Sequence, residues 1–154
     1  MLNGSYLGAA CLLALLAACK SGSAAEAGTY TATISGPVEQ TVSGRARLQR
    51  AAGLDEFGVA VHMIPPSGDA DGGIFLFFRD RPRAGTYPIV PKGAYALGPG
   101  EASAVTSLGD GAVGTSGQVD VTSSRPLQAT FTFQEQRPGE AEPRVRVTGE
   151  FTIP

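Results

Sequence analysis

Hydrophobic and polar positions alternate with a period of two along most of this chain. Tyr30, Ala32 and Ile34 alternate with Thr29, Thr31, Thr33 and Ser35, and Val42, Ala46 and Leu48 alternate with Thr41, Arg45 and Arg47. Phe57, Val59, Val61 and Met63 fall on one face of the next segment, and Gly58, Ala60, His62 and Ile64 on the other. Val119 and Val121 precede Leu127, Ala129, Phe131 and Phe133. The chain ends on Val145, Val147, Gly149, Phe151 and Ile153, set against Arg144, Arg146, Thr148, Glu150 and Thr152. Successive side chains of a strand point to opposite faces, so each of these segments reads as a half-buried strand. Ile74–Phe78 is apolar throughout, which predicts a central strand covered on both faces. The expected core is Ile34, Val59, Val61, Phe75, Phe77, Val121, Phe131, Phe133, Val147 and Phe151.

Between the strands lie turn-forming residues: 65–73, 81–85, 109–111 and 137–143 are rich in Gly, Pro and Asp. No stretch carries a 3.6-residue period, and the nearest helical candidate is residues 101–108. A parallel sheet needs crossover helices, which this pattern does not supply. About seven to nine short strands therefore predict an all-β fold: an antiparallel β-sandwich, or alternatively a small closed β-barrel.

Composition narrows the picture. From Cys19 onward, Leu, Ile, Val and Phe make up 29 of 136 residues, at the lower edge of what a packed core requires. A net charge of −2 is too small to favour disorder. A pI of about 5.3 argues against a nucleic-acid partner.

The N-terminus has its own pattern. Residues 6–19 are almost wholly apolar and end in Leu16, Ala17, Ala18 and Cys19, followed by the polar Lys20, Ser21, Gly22 and Ser23. This resembles the lipobox of bacterial lipoproteins: an aliphatic residue, two small residues and a cysteine behind an apolar run. The resemblance implies that 1–18 is a signal peptide, that the Cys19 thiol carries lipid and that the membrane is a partner through this anchor. Residues 19–28 then form a small, polar tether, and 29–154 a single domain. Residues 1–18 hold no Lys or Arg, unlike ordinary signal peptides, and a start codon upstream of Met1 would supply that charge. The expected location is the bacterial envelope. Lys20 after the cysteine, in place of an aspartate, favours the outer membrane. Once Cys11 leaves with the signal and Cys19 is lipidated, no thiol remains for a disulfide, a thiolate metal site or a nucleophile.

The segments Ser116–Ser123, Ala129–Phe133 and Val147–Phe151 resemble small β-sandwich lipoproteins of bacterial envelopes that have no assigned activity. That resemblance implies a fold and a location, and no catalytic residues.

Candidate chemistry is sparse. His62 is the single histidine and lies mid-strand without a nucleophile elbow, so it reads as a half-exposed strand residue. One histidine and no free cysteine leave no zinc site. Asp69 and Asp71 begin like a calcium loop, but the following positions up to Asp80 are mostly apolar, so a turn is expected. Asp55, Glu56 and Asp120 could supply paired carboxylates, yet the chain has no Trp to form a sugar platform. Residues 109–114 lack the Lys-Ser/Thr of a phosphate loop. Arg79, Arg81 and Arg83 concentrate guanidinium groups that suit phosphate or carboxylate, but also read as a charged cap on the preceding strand. The expectation is a non-enzymatic module without a cofactor or metal, binding an envelope protein or a small ligand. The alternative is a lipocalin-like carrier of a small apolar ligand.

Overall fold

The computed structural model describes residues 27–37, 39–50, 58–67, 73–93, 96–107, 112–136, 139, 141 and 145–154. They form nine strands and, among the described residues, no α-helix. The strands are β1 (Gly28–Ser35), β2 (Gln40–Arg50), β3 (Val59–Ile64), β4 (Ile74–Phe78), β5 (Gly85–Ile89), β6 (Ala102–Thr106), β7 (Ala112–Ser124), β8 (Leu127–Gln136) and β9 (Val145–Ile153).

The sheet closes on itself in the order β1-β2-β3-β4-β6-β5-β7-β8-β9. The fold is therefore the barrel that stood as the alternative, and not the preferred sandwich. Alternation is the same in both architectures. What separates them is β1, which pairs antiparallel with β2 on one edge and with β9 on the other, from Thr29↔Thr152 to Ser35↔Arg146. That second ladder removes the free edges that two stacked sheets would keep.

Inside the barrel, large and small side chains alternate between neighbouring strands. Leu76 and Phe78 of β4 face Ala104 and Ala102 of β6 in register, and all four are buried. The same pairing explains why residues 102–106 form a strand, although 101–108 is the nearest helical candidate. Helix propensity is a weak preference, and the β4 ladder overrides it.

The C-terminal third follows its expected phase. Val121, Phe131, Phe133, Val147 and Phe151 are all buried. β4 does not: Ile74, Leu76 and Phe78 point inward, while Phe75 and Phe77 lie on the outer wall and are only half-buried. A strand apolar on both faces carries no local signal for which face turns in.

Candidate functional site

The barrel wall has a seam. β7 pairs with β6 only at its first turn of ladder, through Val105↔Val113 and Thr106↔Ala112, and farther along it pairs with β5 from Ile89↔Gly117 to Gly85↔Val121. β5 in turn meets β6 in parallel at the single position Ile89↔Ala102. Beyond Ala102, no strand ladder among the described residues joins the end of β4 at Phe78 to Gly85, Thr86 and Tyr87 of β5. Pro88 suits this strand, because proline within a sheet belongs at an edge.

Residues 79–84 fold into the opening. Pro82 is completely buried and plugs it. Tyr87 fixes the loop from the side: its hydroxyl accepts the Arg83 backbone N–H at 2.8 Å and donates to the Arg83 carbonyl at 3.0 Å. The Tyr87 ring meets Phe78 edge-on, with centroids 5.3 Å apart. What remains above this plug is a basin of about 650 Å³, floored by Phe78 and walled by residues 79–83, 85–87, 99–101, 124 and 125.

Four arginines line the basin: Arg79, Arg81, Arg83 and Arg125. All four are exposed. Among the described residues, none of their guanidinium groups is in a salt bridge. Two carboxylates, Asp80 and Glu101, share the lining. Glu101 is already engaged. It accepts the Gly98 N–H at 2.8 Å and both its oxygens lie within about 3 Å of Lys92 Nζ. The Gly98 bond first, and Lys92 second, hold its carboxyl below the usual glutamate range. Its position is set by a type II turn, with Pro99 at the second corner, Gly100 at φ +77° in the third and the Glu101 N–H bonded to the Gly98 carbonyl. The charge facing an occupant is thus dominated by arginine, whose planar fork matches phosphate and carboxylate oxygens.

The sequence run 79–83 accordingly does more than cap a strand, and Arg125 joins it from the β7–β8 turn. An isolated Arg before Pro126 gives no periodic signal, and only the sheet register brings it to the same rim. Glu135 also escaped the sequence reading, although a signal was there. It lies in phase with Leu127, Ala129, Phe131 and Phe133 on β8, and it is buried at 5% exposure.

His62 is 1% exposed, not half-exposed. It stands on the outer wall, stacked on Phe75 with centroids 4.1 Å apart, and Arg47 Nη2 lies 3.4 Å from its Nδ1. Asp120 serves a cross-strand clip, accepting from Thr86 Oγ1 of β5 at 2.7 Å and from Gln118 Nε2 at 2.7 Å. These two bonds, Thr86 foremost, lower its carboxyl pKa. Cys19, Asp55, Glu56, Asp69, Asp71 and residues 109–111 lie outside the described residues.

Compared with protein-family models, with curated proteins and with solved structures, the chain matches none. The reading of its function therefore rests on the barrel, an architecture compatible with a ligand-binding module, and on the basin.

Proposed function

We propose that this protein is a lipid-anchored, non-enzymatic module of the bacterial envelope that holds an anionic group, phosphate or carboxylate, in its arginine-lined basin. The observation that carries the reading is the convergence of four guanidinium groups, in no salt bridge among the described residues and from two separate connections, around about 650 Å³ of space. Small-molecule sites usually occupy roughly 300–1,000 Å³. The rigid plug beneath, with Pro82 buried and Tyr87 bonded to the Arg83 backbone, limits the ordering that binding must impose.

A closed barrel also suits a lipocalin-like carrier. An apolar cargo needs an apolar chamber, however, and Phe78, Phe133, Met63, Leu76 and Leu127 fill the described interior at full burial. The charge of the basin selects an anion instead.

Titration with inorganic phosphate, followed by NMR of the backbone amides of residues 79–87, tests this reading. Saturable shifts that exceed those from chloride at equal ionic strength, and that vanish in Arg81→Gln/Arg83→Gln, are expected. Identical responses to phosphate and chloride would remove the anion site. The anchor has its own test: mass spectrometry of the mature protein should find a diacylglycerol on Cys19 as the first residue. A mature chain that retains residues 1–18, or begins beyond Cys19, would remove it.

A further inference from the structure

The strand register fixes which features share an end of the barrel. Gly28 enters β1 at the end where Thr29 pairs with Thr152 of β9. Ile153 of β9 pairs with Leu127 of β8, and Leu127 with Ser124 of β7. Across the other half of the ring, Gly28 pairs with Ala46 of β2, the end of β2 at Arg50 pairs with Val59, and Val59 pairs with Phe78. Gly28, Phe78 and Ser124 therefore lie at one rim, and this is the rim that carries the basin. Only β9 stands between β1 and β8, so the entry of the chain and the turn bearing Arg125 are about two strand spacings apart, roughly 10 Å.

We infer that this rim docks on the anionic phospholipid leaflet that holds the Cys19 anchor, with the basin arginines on lipid phosphates. The inference rests on the lipid-anchored, anion-binding reading above and names its partner. Eight residues, 20–27, separate Cys19 from β1, and even fully extended they reach no more than about 30 Å. Charges act across only about 8–10 Å at physiological salt, so an anchor attached at this rim brings the arginines into range of the headgroups.

Charge favours the same face. Among the described residues, the basin rim carries Arg79, Arg81, Arg83 and Arg125 against Asp80 and Glu101, whereas the described charge in the connections of the opposite rim is Glu39. Attachment point and charge asymmetry are independent features, and both orient the barrel basin-down.

The test uses the full chain carrying Cys19→Ser, so that no lipid contributes, and flotation with phosphatidylcholine vesicles with or without phosphatidylglycerol. Any affinity of the apolar residues 1–18 acts on both vesicle types, so dependence on phosphatidylglycerol isolates the charge. We expect binding to the anionic vesicles that weakens with salt and falls at least about tenfold in Arg81→Gln/Arg83→Gln, given roughly fivefold per basic residue at an anionic surface. Glu39→Gln, at the far rim, should not weaken it. Circular dichroism of the double variant confirms the fold. Equal partition to both vesicle types, or an unaltered affinity in the arginine variant, would overturn the docking. If phosphate still titrates the basin while anionic vesicles are ignored, the docking fails and the anion site stands.

Discussion

Phe131 lies opposite Gly149 in the β8–β9 register, and its ring covers the space where residue 149 would carry a side chain. A Cβ there would come within 2.5 Å of the Thr31 carbonyl oxygen, 2.6 Å of Phe131 Cζ and 3.0 Å of the Ala32 Cα. The glycine is required by the aromatic packed over it and by the close approach of β1. Gly149→Ala should therefore destabilise the barrel by about 1–3 kcal/mol, the usual cost of overpacking. Chemical denaturation checks this, and a neutral result would mean that both the ring and the β1 backbone at Thr31 can move aside.

Phe151 tests the phase of the closing strand. It is 2% exposed, with its ring centroid 6.4 Å from that of Phe131, while Glu150 is exposed. Phe151→Ala is expected to cost about 3–5 kcal/mol, a large share of a small domain's stability. Glu150→Ala should leave the melting temperature nearly unchanged. The opposite pattern would place the wrong face inside.

Tyr87→Phe removes both hydrogen bonds to the Arg83 backbone while keeping the ring against Phe78. Each such bond contributes about 0.5–1.5 kcal/mol. The effect should include faster amide hydrogen exchange at Arg83 and weaker phosphate binding, with the melting temperature lowered by about a few degrees. Unaltered exchange at Arg83 would show that Pro82 alone holds the loop.

Acid should act on two half-buried carboxyls at this end, Glu101 and Asp120. Hydrogen bonding lowers the pKa of Glu101 and of Asp120 in the folded chain. A depressed carboxyl contributes stability that is complete above its unfolded pKa and is lost as pH falls through the folded one. NMR titration should place both below their ordinary ranges. The advantage of the wild type over Asp120→Asn should be constant near neutrality and shrink only in strong acid. An advantage that disappears already near neutral pH would contradict the Thr86 and Gln118 bonds.

The Phe75 and His62 pair shows where local pattern runs out. The apolar character of β3 and β4 marks both segments as strands, yet His62 and Phe75 face each other and stack on the outer wall, with His62 buried and Phe75 half-buried. A residue's own neighbours in sequence say which positions share a face. They do not say which face becomes the lumen when both are apolar, nor what covers the other.

By itself, the sequence determined β1 to β4, the second half of β7, and β8 and β9, and the inward set of the C-terminal third, because a period of two or an apolar run is written into each of these segments; it did not mark β5 or β6. It also marked the run of Arg79, Arg81 and Arg83. Tertiary structure alone decided the rest. Closure came from β1 pairing with β9 across more than a hundred residues of chain. The strand at 102–106 came from its partner β4, and the phase of β4 from the room left by Ala102 and Ala104. The basin exists because β5 leaves β6 after one paired position, and Arg125 belongs to it because register carries the β7–β8 turn to the same rim. These are long-range pairings, and their energies depend on residues that no local window contains.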